Sequence, residues 1–271
     1  MSLSLRGVAI LMVVFSHFFE WREAFKVTGA FARFMTFLGD PGVAIFFFLS
    51  GYALFSKYKD KPTDKEYIYK RFKNMYFPYL IIAVLIALIA GSLKGLSDVW
   101  RILTGKGFWF ITIILIIYIA FYFVGKLPKF RIPAMAVIIT AFSVYLYLKD
   151  YREFWYNTNW CFVLGMIIAG YETNIIEKLG LKVSKNKGKN TNPVVKFLSL
   201  LGRYSLYIYL LHNFVFYRVV SFKTSYNTPL GFVVKILISL VITVLISDLF
   251  RRFVTFIFAL WETRRTGEKD N

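Results

Sequence analysis

The chain has 271 residues, 58% hydrophobic and 20% aromatic, with a mean hydropathy of +0.56. That exceeds the apolar share of about 45–50% in soluble domains and excludes an ordinary soluble enzyme. In so apolar a chain, the formal charge of +19 points to cationic loops beside anionic lipid, not to nucleic acid.

The opening MSLSLRGVAILMVVFSHFF resembles a signal peptide. Glu20-Trp21-Arg22 stands where a cleavage site needs small residues, so a retained first helix is expected from about Leu3 to Glu20. A second span runs from about Phe37 to Phe55, with Asp40 as its cap and Pro41 in its first turn. Further spans follow over about Tyr76–Gly91, Phe108–Val124, Ile132–Leu148, Phe154–Gly170, Val194–Val220 and Leu230–Phe250. Together they predict an all-α polytopic transmembrane bundle of about eight spans, one membrane-embedded domain over residues 1–271.

Between the spans, SKYKDKPTDKEYIYKRFKNMYF begins as a Lys-rich turn. It continues as a basic-aromatic amphipathic stretch suited to lipid head groups. LKVSKNKGKNTNP has the composition of a flexible linker. The segments 56–75, 126–131, 172–196 and 251–271 hold 21 Lys and Arg, against 10 in 21–36, 92–107, 149–153 and 218–229. This bias places both termini in the cytoplasm. The single cysteine, Cys161, excludes a disulfide framework and a cysteine metal site. Two histidines in separate spans, without carboxylates at ligand spacing, also argue against any metal site. There is no phosphate-binding loop, dinucleotide fingerprint or nucleophile elbow, and no internal repeat of the kind transporters use.

Chemistry concentrates in three places. An ionisable residue inside a span is by default a functional candidate, and both histidines, His17 and His212, fall there. Arg6 and His17 lie eleven residues apart, three helical turns with about 20° of drift, so they share a face roughly 16 Å apart along the axis. His17 can exchange a proton with a hydroxyl or hydrogen-bond a neighbouring helix. Glu20, three residues on, can hold its tautomer. Arg6 either snorkels or binds an anion, and Lys70, Arg71 and Lys73 fall at the same membrane face. In the second span, Ser50 and Gly51 interrupt an aromatic helix and admit either a ligand or a packed helix. In the seventh, Ser205, Tyr209 and His212 form a ladder on one face that relays protons, binds sugar or pairs with backbone. Trp109, Trp155 and Trp160 read as aromatic-belt residues.

LRGVAILMVVFSH, GVAIFFFLSGYALF, KRFKNMYFPY and LGRYSLYIYLLH, in this order, resemble the acyltransferase 3 family of integral-membrane acyltransferases. The resemblance implies transfer of an acyl group, usually acetyl from acetyl-CoA as a substrate with no bound cofactor. The acceptor is a hydroxyl of a cell-surface glycan or lipid-linked sugar; the size of the chain and its Lys-rich loops suit a bacterial plasma membrane. It makes His17 the essential first-helix histidine, as base or transient acyl carrier, and Arg6 the first-helix arginine. Lys70 and Arg71 take the basic motif that meets the donor, and Ser50 and Gly51 the Ser-Gly motif. Two departures stand out. The family's Arg-x-x-Arg becomes Arg71-Phe-Lys-Asn74, with Lys73 available to compensate, and eight spans are fewer than the family's usual ten or so. The competing expectations are a proton-coupled transporter or flippase, and a non-catalytic relative of the acyltransferases.

Overall fold

In a computed structural model, residues 3–178, 192–221 and 228–267 are described, with side chains given outside 172–178 and 262–267. The structure is 83% helical and has no strand among the described residues. The helices are α1 (Leu3–Phe19), α2 (Ala30–Phe37), α3 (Gly39–Tyr58), α4 (Lys65–Arg71), α5 (Phe77–Ile89) and α6 (Leu96–Thr104). They continue as α7 (Trp109–Val124), α8 (Arg131–Leu148), α9 (Trp160–Lys178), α10 (Pro193–Ser221) and α11 (Pro229–Gly267). Each of the eight expected apolar segments forms a helix, so the chain is an all-α polytopic membrane protein. Five helical stretches are long and apolar enough to cross a membrane, and α6 with α7 makes a sixth that is bent by 61°. At 17 residues α1 is shorter than those five.

Contacts fix the relative directions of several of these helices. Gly42 of α3 packs on Ala9 of α1 and Gly39 on Ser16, which makes the two antiparallel. Asn157, just before α9, donates to Asp40 (2.9 Å), while Gly170 meets the Phe55 ring, so α3 and α9 run parallel. Tyr204 of α10 donates to Asp248 of α11 (2.8 Å) and Lys235 of α11 to the Val220 carbonyl (3.2 Å), again antiparallel.

The seam between α1 and α10 positions the site. A Cβ added to Gly7 would sit 1.9 Å from the Leu198 carbonyl oxygen, and one on Gly202 would sit 1.8 Å from that of Leu3. With no side chain on either residue the two backbones touch, as close-packed membrane helices require. Because the helices are parallel, Arg6 lies level with the early part of α10, and His17 meets His212.

Several expectations shift. Asp40 lies inside α3 and accepts from Asn157; it does not cap the helix, whose N-cap, Leu38, offers no side-chain bond. The loops 21–36 and 92–107 contain α2 and α6. The stretch before the third span does not lie free on the lipid surface. Asp64 caps α4 by accepting from the Tyr67 amide (2.9 Å), and buried Tyr67 donates to the Tyr118 carbonyl of α7 (2.8 Å). Pro78 lacks the N–H that the Asn74 carbonyl would accept, and its ring crowds that carbonyl. The chain adjusts with a π-helical turn over Phe72–Tyr76. Arg131, at the start of α8, donates to the Tyr58 and Lys59 carbonyls and so closes the C-terminal end of α3. Most of the linker expected over LKVSKNKGKNTNP lies outside the described residues.

Candidate active site

Two cavities are stacked along the α1–α10 seam. The inner one, about 390 Å³, is lined by Arg6 of α1, Ser50 of α3, Lys70, Arg71 and Asn74, Tyr118 of α7, and Ser205 and Tyr209 of α10. Three cations and no carboxylate border it. Lys70 is paired with Glu66. Among the described residues, neither Arg6 nor Arg71 has a carboxylate in ion-pair range. Arg71 lies over the Tyr118 ring (5.3 Å) and the Tyr67 ring (5.8 Å), and its Nε is buried without a hydrogen-bond partner. A guanidinium with a buried, unused donor is costly unless something completes it. Phosphate or carboxylate oxygens match its geometry.

The outer cavity, about 350 Å³, is lined by His17, Gly107, Phe108, Trp109, Tyr209, His212 and Tyr217, among others. The His17 and His212 rings are 5.2 Å apart, centroid to centroid. His17 Nδ1 lies 3.1 Å from Glu20 Oε1. An ionised carboxylate only accepts, so this pairing puts the hydrogen on Nδ1 and leaves Nε2 as the basic nitrogen. His212 Nδ1 faces the carbonyls of Tyr209 (2.7 Å) and Ile208 (3.1 Å), which assigns the same tautomer. Its Nε2 is buried without a partner.

Between the cavities stands an aromatic septum. Tyr209 lines both cavities, Phe110 lines the inner one and Phe108 the outer. Tyr209 is 5.3 Å from the Phe110 ring and 6.5 Å from the Phe108 ring. The break between α6 and α7 builds this wall. Gly105 adopts a left-handed φ of 77° and ends α6, and Thr112 returns a hydrogen bond to the Thr104 carbonyl (3.1 Å). Phe108, Trp109 and Phe110 follow at the head of α7.

A family model described as an acyltransferase domain matches residues 4–185. The chain belongs to the acyltransferase 3 family. The match includes Arg6, His17, Ser50, Lys70 and Arg71, whereas Ser205, Tyr209 and His212 lie beyond it. Comparison with curated proteins and with solved structures returns no match. Membership makes the protein a multi-pass membrane acyltransferase.

The structure divides the expected site residues into groups. Arg6, Ser50, Lys70, Arg71, Ser205 and Tyr209 meet in the inner cavity, His17 and His212 in the outer one, with Glu20 behind His17. Gly51 lines neither cavity. A Cβ there would lie 1.9 Å from the Phe162 carbonyl oxygen, so it serves the α3–α9 contact. Lys73 also turns away, its ammonium lying over Phe258 (5.2 Å) and Tyr69 (5.9 Å), because residues 70, 71 and 74 share the cavity face and 73 does not. Asn74, in the place of the family's second arginine, borders the inner cavity. Ser205, Tyr209 and His212 do not act as one ladder, since they divide between two cavities and His212 bonds to backbone. Trp109 lines the outer cavity and packs on Phe154 (5.0 Å), so a belt role is incomplete. Tyr118, which donates to Ser50 Oγ (3.3 Å), and Phe108 and Phe110 were not legible as site residues. The Gly105-Lys106-Gly107 break ahead of an aromatic cluster was the available signal.

Proposed function

We propose that the protein is an O-acyltransferase that takes an acyl group, acetyl in the simplest case, from acyl-CoA and delivers it to a glycan hydroxyl. One observation carries this reading: a cation-lined cavity and an imidazole-lined cavity share Tyr209 along a single helix seam. Arg6, Lys70 and Arg71 hold donor phosphate oxygens at the cytoplasmic end. The acceptor occupies the outer cavity at the opposite face of a bacterial plasma membrane, and both termini lie in the cytoplasm.

His17 acts as general base, with Glu20 holding its Nδ1–H. Nε2 takes the proton of the acceptor hydroxyl, and the oxygen adds to the thioester carbonyl. The carbon–sulfur bond then breaks, and the departing thiolate takes up the proton that His17 holds, leaving CoA-SH, the ester and a neutral imidazole. The septum keeps water from the thioester until an acceptor is in place. The test uses sealed vesicles containing the protein, labelled acetyl-CoA on the cytoplasmic side and a glycan acceptor. Label is expected in the glycan, and none with His17→Ala. Transfer that survives His17→Ala refutes the assigned base. Glycan movement with no acyl transfer replaces the reading with a transporter.

A further inference from the structure

His212 is a buried titratable group that the acyl-transfer mechanism leaves unused. It borders the outer cavity but is only 1% exposed. Nδ1 lies 2.7 Å from the Tyr209 carbonyl and 3.1 Å from that of Ile208, so it carries the hydrogen. Among the described residues no carboxylate pairs with the ring. An unpaired buried charge is costly, which keeps the ring neutral. A neutral ring with its hydrogen on Nδ1 leaves Nε2 as an acceptor only. That nitrogen is buried and has no hydrogen-bond partner, an omission that costs about 1–3 kcal/mol.

His17 presents the same chemistry to the same cavity. With its Nδ1 hydrogen turned to Glu20 (3.1 Å), its Nε2 also offers only a lone pair. Two acceptor nitrogens cannot satisfy each other, so each needs a hydrogen from a third group. The ring centres are 5.2 Å apart. That spacing admits hydroxyls on neighbouring carbons, each donating across about 2.8 Å. Hydroxyls on opposite sides of a sugar ring would put the whole ring between the imidazoles, which 5.2 Å does not allow. The two histidines differ in what stands behind them, a carboxylate for His17 and carbonyls for His212. A carboxylate stabilises the imidazolium that forms when a proton is taken. His17 therefore takes a proton, and His212 only accepts a hydrogen bond.

We infer that the outer cavity selects an acceptor with two neighbouring hydroxyls, the vicinal diol of a sugar or polyol, and that His212 Nε2 reads the second hydroxyl. One hydroxyl donates to His17 and is acylated. The other donates to His212 and keeps its proton, so the product is a monoester at a single position. The inference rests on the acyltransferase reading for the fate of the first hydroxyl, while hydrogen bonding to both imidazoles is measurable without catalysis. An acceptor lacking the second hydroxyl leaves the His212 nitrogen unmet. A site built around such a hydrogen bond rejects that analogue strongly.

His17 and His212 are the only histidines in the chain, so isotope-labelled histidine in the full chain in nanodiscs gives two assignable imidazoles by nitrogen NMR. The probes are a methyl glycoside with one vicinal pair of hydroxyls free and the rest blocked, and its two monodeoxy analogues. The diol should move the Nε2 signals of both histidines, and each analogue at most one. In transfer from acetyl-CoA, wild type should prefer the diol to the better analogue by roughly 10–100-fold in kcat/KM. His212→Asn keeps a donor level with Nδ1 but has nothing at Nε2, and the preference should fall below about threefold. His212→Gln, whose amide oxygen reaches the level of Nε2, should restore most of it. A histidine with a structural role alone would lower transfer to diol and analogue in equal proportion. A His212 signal unmoved by the diol, or a preference unchanged in His212→Asn, overturns the inference, and the labelled wild type decides it even where a variant fails to fold. If both signals respond to the diol and wild type acylates no probe, the acyltransferase reading fails and the diol site stands. If wild type acylates diol and analogue equally, the diol site fails and the acyltransferase reading stands.

Discussion

Replacing Arg71 by glutamine tests the donor site most directly. The guanidinium borders the inner cavity, its Nε is buried without a partner, and its contacts to the protein are the faces of Tyr67 and Tyr118. Two cation–π contacts at about 0.5–1 kcal/mol each limit the stability lost to about 1–2 kcal/mol. Removing an unpaired buried donor offsets part of that. A charge-assisted hydrogen bond to phosphate is worth about 1.5–3 kcal/mol, and tenfold in Kd corresponds to about 1.4 kcal/mol. Arg71→Gln should therefore weaken CoA binding roughly 10- to 150-fold while the fold survives.

Titration calorimetry on the full chain in nanodiscs measures this, with coenzyme A compared against pantetheine, which lacks every phosphate. In wild type, pantetheine should bind far more weakly than CoA. In the variant the difference should shrink, giving a coupling energy of about 1.5–3 kcal/mol in the resulting cycle. Added salt should weaken CoA binding more in wild type than in the variant. If both proteins lose the same affinity on going to pantetheine, Arg71 does not meet a phosphate and the donor site lies elsewhere.

Four other outcomes are expected. His17→Ala should lower acyl transfer at least about 100-fold. Glu20→Gln, which keeps an acceptor oxygen opposite Nδ1 but removes its charge, should cost roughly 10–100-fold in kcat with little change in donor KM; equal activity of the Gln variant would remove Glu20's charge from the mechanism. Phe110→Ala should open the septum and raise acceptor-independent hydrolysis of acyl-CoA roughly severalfold, read as CoA release without glycan. Gly202→Val puts a side chain where a Cβ already meets the Leu3 carbonyl at 1.8 Å, whereas a Cβ on Gly95 meets nothing within 4 Å. Thermal unfolding in detergent should show the first destabilised by about 1–3 kcal/mol or more and Gly95→Ala within about 0.5 kcal/mol of wild type.

Much of the molecule was written locally. Apolar runs dictated the helices because a membrane span must satisfy its backbone within itself and expose apolar side chains to lipid, and both requirements depend on sequence neighbours alone. The alignment of Arg6 with His17 followed from helical pitch, and Glu20 from the i,i+3 relation. The helices α2 and α6 were missed because, at 8 and 9 residues, each is too short to read as a membrane span.

Tertiary structure decided which helix faces meet. The glycines at 7 and 202 let α1 and α10 touch and so brought His17 to His212, a pairing of residues nearly two hundred positions apart that no local pattern encodes. The same contact geometry removed Gly51 and Lys73 from the site, since small or charged residues look alike in sequence whether they face a cavity or a neighbouring helix. It also divided one expected ladder between two chambers, because the break before α7 sets Phe108 and Phe110 against Tyr209. Helix identity is a property of short stretches of chain. The separation of the two chambers depends on non-local packing, and it exists only once the bundle has assembled.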